Sequence, residues 1–233
     1  MKETTRVRRY FESTRWKPSE GRAFLVEERQ RLLKQAALRA ATPLSQVAIC
    51  DVGCGFGDDL AAWTEAGVPE GQLAGTELLP ERVEVARARV PRADIRLVDD
   101  YDLPFDDASF DVCTASLVLS TASSPAARRR LLGEMSRVTK ANGVVVIYDF
   151  VVKKPWNRRV RRVSTRELAL IWRKPTATLS AAPFLPALDV ALHTPAPIRD
   201  RIAAVLPKTH RVWVWTNGDG RRSTRDSEAA ETP

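Results

Sequence analysis

A glycine-rich turn flanked by carboxylates is the part of this sequence best suited to binding a ligand. Residues 51–58 read DVGCGFGD and lie between an apolar run and an amphipathic run, so they are predicted to join a strand to a helix. Gly53, Gly55 and Gly57 let the backbone turn tightly and approach a ligand with no Cβ in the way. A dinucleotide turn has the spacing G-x-G-x-x-G and holds a pyrophosphate, which the carboxylates of Asp51 and Asp58 would repel. The turn favours a cofactor with a sulfonium and an α-amino group; a purely structural turn is the alternative.

Glu77 is the second candidate ligand-binding residue. It stands 20 residues after Gly57, at the end of a predicted second strand. A carboxylate at that place can accept hydrogen bonds from both ribose hydroxyls of an adenosine. Leu78 and Leu79 would then form a wall against the adenine. Taken without the glycine turn, Glu77 could equally be an ordinary exposed glutamate.

Acidic residues also follow the predicted third strand. Residues 98–105 read VDDYDLPF, and Asp99 or Asp100 could accept a hydrogen bond from an adenine amino group. Ser116, at the end of the predicted fourth strand, completes the predicted cofactor-binding set. Because acidic surface loops are common, the order of these segments along the chain carries most of the argument.

The elements between these segments alternate between strand and helix. Apolar, β-branched runs predict strands at 47–52, 73–76, 95–98, 110–115 and 144–148, with helices at 58–66, 80–90 and 126–140 between them. Parallel neighbours need crossover helices, so this alternation predicts a doubly wound, mostly parallel α/β sheet. Asn142-Gly143 is expected to break the last of these helices.

The ends of the chain differ from its centre. Residues 1–42 are predicted to form an N-terminal helical arm, residues 43–216 the main domain, and residues 217–233 a disordered tail without large apolar residues. Further strands are expected at 176–180 and 211–215, and a helix is expected to start at the capping-box segment Ser164–Glu167. A proline-rich insertion at about 182–207 would wall a small pocket with Phe184, Leu185, Leu188 and Val190.

Charge and composition narrow the classes of function. Residues 1–42 carry 11 basic and 5 acidic side chains, residues 43–150 carry 10 and 17, and residues 151–233 carry 16 and 7. No apolar run is long enough for a membrane span or a signal peptide, so a cytoplasmic location is expected. Three cysteines and two distant histidines give little support to a metal site, and none is predicted.

The segments above resemble the class I methyltransferases over about residues 45–150. The matching stretches are 51–57, 76–77, 99–105, 110–111 and 134–143. The resemblance implies a seven-stranded sheet with an antiparallel last strand, S-adenosylmethionine as cofactor, and both ligands at the carboxyl ends of the strands. More loosely, residues 148–161 are similar to a bacterial small-molecule subfamily of secondary or glycan metabolism. Unlike many small-molecule enzymes, this chain has Ser120-Thr121 instead of a histidine pair after strand four.

The candidates for catalysis and acceptor binding lie at and beyond the fifth strand. Asp149, His210 and Tyr148 are the candidate general bases, with Asp149 expected to face the pocket rim; a base is needed only if the acceptor must lose a proton. Asn157 and Arg161 are the candidate acceptor-binding residues, because a run of seven basic residues without an acidic one lies between 151 and 166.

Three function hypotheses remain at this point. A methyltransferase acting on a small molecule, anionic or carrier-linked, is favoured by the insertion. An RNA- or protein-modifying methyltransferase is suggested by the basic flanks, although no RNA-binding module is apparent and nucleic acid is the less favoured partner. A non-catalytic cofactor-binding regulator is the third. In the N-terminal arm, Tyr10 and Trp16 either close over the cofactor or merely pack on the core.

Overall fold

A computed structural model describes residues 3–13, 20–38, 43–152, 160–169, 175–183 and 196–218. Its strands are β1 (Ile49–Val52), β2 (Leu73–Glu77), β3 (Asp94–Leu97), β4 (Phe110–Ser116), β5 (Thr139–Phe150), β6 (Ala177–Pro183) and β7 (Lys208–Thr216). Its helices are α1 (Glu3–Ser13), α2 (Glu20–Ala37), α3 (Asp58–Glu65), α4 (Pro80–Arg89), α5 (Pro125–Val138), α6 (Thr165–Leu168) and α7 (Ala196–Val205).

The seven strands form one sheet in the order β3-β2-β1-β4-β5-β7-β6. The pairs from β3 to β5 are parallel, and β7 runs antiparallel to both of its neighbours. The predicted doubly wound sheet with an antiparallel last strand is therefore confirmed. Along the chain β7 is last, but in the sheet it lies between β5 and β6.

Both faces of the sheet are covered, which explains the near-continuous apolar runs of the central strands. On one face, Leu33 of α2, Trp63 of α3 and Val83 of α4 join a buried core with alternate residues of β1, β5 and β7. On the other face, Leu132 of α5 and Leu168 of α6 join the remaining set. The N-terminal arm thus contributes α2 directly to the core of the main domain.

Short-range caps fix the starts of the helices on the second face. Ser124 accepts a hydrogen bond from Ala127 N at 3.1 Å and caps α5. Ser164 accepts one from Glu167 N at 3.2 Å and caps α6, as the capping-box spacing predicts. The hydroxyl of the next residue, Thr165, accepts a hydrogen bond from Trp213 Nε1 at 2.9 Å. This contact ties the segment after β5 to β7.

The predicted boundary between α5 and β5 is wrong. The helix ends at Val138 and the strand begins at Thr139, so Asn142-Gly143 lies inside β5 and not at the end of a helix. The side chain of Asn217 explains the early ending, because its Nδ2 donates to the carbonyls of Ser136 and Thr139 at 2.8 and 2.7 Å. Asn217 is itself buried against the end of α5.

The predicted insertion, the absence of a membrane span and the three cysteines are the remaining expectations about the fold. Phe184, Leu185, Leu188 and Val190 lie outside the described residues, whereas α7 accounts for the end of the predicted insertion. Within the described ranges, no helix combines the length and the apolar character that crossing a membrane requires. Cys50, Cys54 and Cys113 are buried and unpaired, with Cys50 and Cys113 in register on adjacent strands.

Candidate functional site

The glycine turn between β1 and α3 lies at the carboxyl edge of the sheet. There β1 has β2 on one side and β4 on the other, so chain connections leave in opposite directions, and open α/β sheets bind ligands at such switch points. Gly53, Gly55 and Gly57 have φ angles of 69°, 58° and 78°, in the left-handed region. A Cβ on Gly55 would have no atom within 4 Å, whereas one on Gly53 would lie 2.6 Å from Val118 Cγ2. Gly55 therefore borders open space.

Glu77 is buried at the end of β2, and its carboxylate is bonded to the glycine turn. Gly55 N donates to Oε2 at 3.1 Å, and the backbone amides of Leu78 and Leu79 donate to Oε1 at 2.7 and 3.0 Å. Arg82 Nη1 lies 3.9 Å from Oε2. This structural role, in which Glu77 fixes the turn against β2, is not evident from the sequence. The binding of Glu77 to ribose stays a prediction. Oε2 accepts one hydrogen bond and Oε1 accepts two, so Oε2 is the oxygen better able to accept another from a ribose hydroxyl.

Asp51 lies beneath the turn at the end of β1, 2% exposed. Thr114 Oγ1 donates to its Oδ1 at 2.7 Å. Burial raises the pKa of Asp51 to about 7, and the nearby Asp59 carboxylate adds to the rise while the Thr114 hydrogen bond opposes it. Asp59 itself accepts from Arg29 Nη2 at 2.7 Å. Two acids and one cation thus lie together under the turn.

The acidic loop after β3 borders a cleft of about 620 Å³, whose other walls are the first turn of α5 and Glu3 of α1. Asp99 and Asp100, the two predicted adenine partners, both line this cleft. Arg130 Nη1 lies 2.7 Å from Asp100 Oδ2, and Arg130 Nε donates to Asp102 Oδ1 at 2.7 Å. Since Arg130 engages the Asp100 carboxylate, Asp99 is the stronger candidate for the adenine amino group.

Asp149 does not face the pocket rim as expected. It is fully buried, its Oδ2 accepts from Ser120 N at 2.9 Å and its Oδ1 accepts from Phe150 N at 2.7 Å. Burial raises the pKa of Asp149 to about 6, against the opposing effect of its hydrogen bonds to Ser120 and Phe150. Alternation along β5 turns this side chain to the face covered by α5. A positioning role for the loop after β4 fits this geometry better than general-base catalysis.

Tyr148 and His210 come together on adjacent strands near the same edge. Their rings stack at 5.0 Å between centroids and 13° between planes, and the Phe150 ring lies 4.1 Å from His210. Both residues are buried, and His210 Nδ1 lies 2.9 Å from Thr209 Oγ1. Burial also raises the pKa of Tyr148 well above its ordinary value. These residues form an aromatic wall at the carboxyl end of β5.

Comparison with known proteins agrees with this arrangement. A family model described as a methyltransferase domain matches residues 50–147, from β1 through most of β5. Demethylmenaquinone methyltransferase of Clavibacter sepedonicus is 33% identical over 123 residues, covering 52% of this chain and 48% of that protein. Geranyl diphosphate C-methyltransferase of Streptomyces coelicolor A3(2), solved with Mg²⁺, geranyl diphosphate and S-adenosyl-L-homocysteine, has a TM-score of 0.60 and 14% identity over 82% of this chain and 77% of that one. Residues 50–147 are therefore similar in sequence to methyltransferase domains.

The matched region is only part of each of these known proteins. The chain spans no more than about half the length of the curated relatives that it matches. The structure of the [4+2]-cyclase SpnF is also similar, with a TM-score of 0.59 and 21% identity over 83% of this chain and 81% of that one. The methyltransferase fold therefore also occurs in a protein named for a different reaction.

Outside the matched residues, α1 lies across the carboxyl edge of the sheet. Tyr101 Oη, in the loop after β3, donates to Glu3 Oε1 at 2.6 Å. Although burial raises the pKa of Glu3, hydrogen bonds from Arg6 and Tyr101 lower it below the ordinary value overall. Tyr10 is buried on a small cluster with Phe150 at the end of β5. Trp16 lies outside the described residues.

The same helix also reaches the glycine turn through Arg82. The Arg82 guanidinium carbon lies 3.6 Å from the centroid of the Phe11 ring and 4.9 Å from that of the Phe56 ring. Phe56 belongs to the glycine turn and is 44% exposed. Since Arg82 also lies 3.9 Å from Glu77, α1 is coupled to the predicted ribose-binding carboxylate through a single cation.

Arg128 of α5 holds together the loop after β4 and the segment that follows β5. This buried side chain donates from Nε to Leu119 O at 2.7 Å and from Nη2 to Arg161 O at 3.2 Å. Its Nη1 lies 2.8 Å from Glu167 Oε2. The Arg161 backbone is further held by a bond from its N to Ser120 O at 2.9 Å, while its side chain is exposed. Asn157 lies outside the described residues.

Arg128 and Arg29 are two organising residues that were not among the residues predicted from the sequence. Arg128 stands three and four positions before Leu131 and Leu132, and Arg29 stands three and four before Leu32 and Leu33. Side chains at those spacings share a helix face, so each arginine falls on the buried stripe. A cation on an apolar stripe was the signal that could have found them.

Proposed function

We propose that this protein transfers a methyl group from S-adenosylmethionine to a small-molecule acceptor. One observation carries the proposal: the glycine turn is bonded to Glu77 at the sheet's switch point, with Gly55 facing open space. A nucleoside bound across this point would lie between the turn, Glu77 and the acidic loop. These are the contacts that an adenosine with a cationic side arm requires, because the side chains predicted from the sequence to approach it are acidic, small or apolar.

The residues present fit that cofactor. The Gly55 position has no room-filling Cβ, Asp51 provides a carboxylate beneath the turn, and Leu78 and Leu79 follow Glu77 as an apolar wall. When bound, S-adenosylmethionine supplies an electrophilic methyl group on a sulfonium. The chain's own part is to hold the acceptor in line with that methyl group and to keep water away, and orientation alone can supply much of the rate.

The described residues favour catalysis by orientation over general-base catalysis. Asp149 is held by two backbone amides, and Tyr148 is buried with a raised pKa. His210 lies between aromatic rings and contacts Thr209. We therefore infer that Tyr148, His210 and Phe150 form an apolar wall for the acceptor. Helix α1 of the N-terminal arm would act as a lid over the cofactor, through Tyr10 and Phe11.

An anionic or carrier-linked acceptor, of secondary or glycan metabolism, is the finer proposal. Arg161, Arg162 and Arg166 are exposed on the segment that follows β5, whose end borders the aromatic wall. Arg128 donates to the carbonyls of Arg161 and Arg162 and so fixes the backbone of that segment. An arginine side chain on a fixed backbone is well placed to bind a carboxylate or phosphate. The similar geranyl diphosphate C-methyltransferase was solved with a diphosphate compound, which supports an anionic class.

Transfer of label from [methyl-³H]S-adenosylmethionine tests the proposal. The panel should contain carboxylate-bearing, diphosphate-bearing and carrier-thioester acceptors, each paired with a neutral analogue, together with mixed RNA and a protein extract. We expect labelling of an anionic small molecule, and a loss of its turnover in Arg161→Ala with Arg92→Ala as an exposed control far along the sheet. Labelling of RNA or protein alone would contradict the proposal.

Binding measurements with RNA separate the nucleic-acid alternative. An interface with about six phosphate contacts should lose roughly a thousandfold in affinity between 50 and 200 mM salt, whereas a single anion-binding arginine should lose far less. Cofactor binding without any transfer would favour the regulator hypothesis or a reaction of another kind.

A further inference from the structure

Leu117, directly after β4, has a backbone conformation that leucine rarely adopts. Its φ is 61°, in the left-handed region, and among the described residues Ala108, with a φ of 53°, is the one other non-glycine residue there. In that region the Cβ of an L-residue crowds the following carbonyl oxygen, so glycine or asparagine is the usual choice. Ala108 is exposed in the turn before β4, at the amino edge of the sheet. Leu117 therefore combines a strained backbone with a large apolar side chain, at the carboxyl edge.

The backbone at Leu117 is held from both sides. Leu117 N donates to Tyr148 O at 2.8 Å, which continues the pairing of β4 with β5 by one residue. The next residue, Val118, packs on the glycine turn, because a Cβ on Gly53 would lie 2.6 Å from Val118 Cγ2. A glycine in place of Leu117 could make the same backbone bond without the steric penalty. The leucine side chain, and not the backbone, is thus the part that needs a function.

The Leu117 side chain packs on a small apolar cluster at the carboxyl end of β5. The buried members of this cluster are Tyr10 of α1, Phe150 of β5 and Val160 of the segment after β5, and Phe11 packs on them from α1. The cluster is separate from the two cores that cover the faces of the sheet. Leu117 therefore lies between the glycine turn, which its neighbour contacts, and a separate apolar surface.

The apolar cluster is bordered by exposed cations. Val160 is buried, whereas the side chains of Arg161 and Arg162, which follow it directly, are exposed. An anion bound by these arginines would lie close to the cluster along the same segment. The hydroxyls of a sugar need hydrogen-bond partners, and the side chains of Leu117, Phe150 and Val160 provide none. The arrangement therefore suits a ligand with an anionic group and an apolar end.

We propose that Leu117 is a specificity-determining residue of the acceptor site, and that it selects acceptors whose inner end is a planar or extended apolar group over sugars. The inference rests on the proposed function and narrows its class of acceptor. The apolar end would lie on Leu117 and Phe150 beside the glycine turn, with the anionic group at the exposed arginines. Helix α1 covers this cluster with Tyr10, and an apolar end of similar size can take over that contact.

Three phosphate monoesters test this inference, because they share the anion and differ in the other end. 1-Naphthyl phosphate has a planar apolar end, octyl phosphate has an extended one, and glucose 6-phosphate has a sugar. Each is titrated by calorimetry into the wild type and the Leu117 variants in the presence of saturating S-adenosylhomocysteine. Binding of S-adenosylhomocysteine alone and urea denaturation are measured on the same proteins.

Two substitutions of Leu117 separate its side chain from its backbone. Asparagine tolerates a left-handed backbone and branches at the same atom as leucine, so Leu117→Asn chiefly exchanges methyl groups for an amide. Leu117→Gly removes the side chain and relieves the backbone, so it is expected to fold even if Leu117→Asn does not. Ala108→Asn is the matched control, because it places the same residue at the other left-handed position.

We expect the wild type to bind at least one of the two apolar phosphates at least about tenfold more tightly than glucose 6-phosphate. Both Leu117 variants should weaken that binding at least about fivefold, equal to roughly 1 kcal/mol, with S-adenosylhomocysteine affinity and the urea midpoint close to those of the wild type. Ala108→Asn should change none of these quantities.

Several results would overturn the inference. They are equal binding of the three phosphates by the wild type, an unchanged preference in both Leu117 variants, and binding of none of the phosphates by a wild type that binds S-adenosylhomocysteine. Parallel losses of phosphate and S-adenosylhomocysteine binding would also overturn it, because they would show a purely structural role for Leu117. A wild type that does not bind S-adenosylhomocysteine would overturn the proposed function itself, so the two failures are distinguishable.

Discussion

Replacing Gly55 with alanine isolates the effect of a single methyl group on the proposed cofactor site. The residue has a φ of 58°, and a Cβ there would meet no protein atom within 4 Å. The folded protein therefore bears only the backbone penalty of a left-handed alanine, about 1–2 kcal/mol. Gly55 N still donates to Glu77 in the variant, because alanine keeps its amide.

The new methyl group would point into the space that the cofactor is proposed to fill. We expect Gly55→Ala to weaken S-adenosylhomocysteine binding at least about tenfold, equal to roughly 1.4 kcal/mol, and Gly55→Val to abolish it. Gly53→Ala gives the contrasting case, since its Cβ would lie 2.6 Å from Val118 Cγ2. That variant should lose more stability than Gly55→Ala, and adding Val118→Ala should restore part of the loss.

Urea denaturation measures the stability of each variant, and calorimetric titration measures binding. We expect opposite rankings: Gly53→Ala loses the most stability, and Gly55→Ala loses the most affinity relative to its loss of stability. A Gly55→Ala protein that binds S-adenosylhomocysteine as tightly as the wild type would refute it, because the open space would then not be the cofactor site.

Three further changes test other parts of the structure. Glu77→Ala leaves three backbone amides without their acceptor and should lower both stability and S-adenosylhomocysteine affinity, the latter at least about tenfold, by urea denaturation and calorimetry. Because the pKa of Asp51 is about 7 when folded and 3.8 ordinarily, this group favours folding below pH 4 and loses that contribution as the pH rises through 7. The free energy of unfolding of Asp51→Asn should therefore rise relative to that of the wild type between pH 4 and 8. The expected rise is a few kcal/mol or less, on the order of 1.4 kcal/mol per pKa unit. A difference that stays constant over this range would contradict the prediction. Asn217→Ala removes bonds to the carbonyls of Ser136 and Thr139 and should lower the free energy of unfolding by about 2–3 kcal/mol in urea, and an unchanged midpoint would contradict the role given to Asn217.

The sheet could be predicted from the sequence because its signals are local. The β-branched run of β5, the glycine turn after β1 and the cap at Ser164 each specify structure within a few residues. The boundary between α5 and β5 could not be predicted in this way. It depends on Asn217, a residue 78 positions along the chain from Thr139 whose side chain bonds to the carbonyls there.

The site could be predicted only as far as its sequence motifs reach. The glycine turn, Glu77 and the acidic loop occur in chain order, so their meeting at one sheet edge follows from the parallel topology. The surroundings of Asp149 depend on which face of β5 its side chain occupies. Because β5 is buried on both faces, its apolar residues do not alternate with polar ones, and the sequence does not show which residues point to which face. Arg29 and Arg128 act through helices whose placement on the sheet no local pattern records.

Calorimetric titration of the wild-type protein with S-adenosylhomocysteine, and in parallel with NAD, tests the central claim most directly. The glycine turn bonded to Glu77, with carboxylates beside it, predicts binding of S-adenosylhomocysteine at one site per chain and no binding of the dinucleotide, whose pyrophosphate those carboxylates repel. Binding of NAD together with a failure to bind S-adenosylhomocysteine would contradict the account.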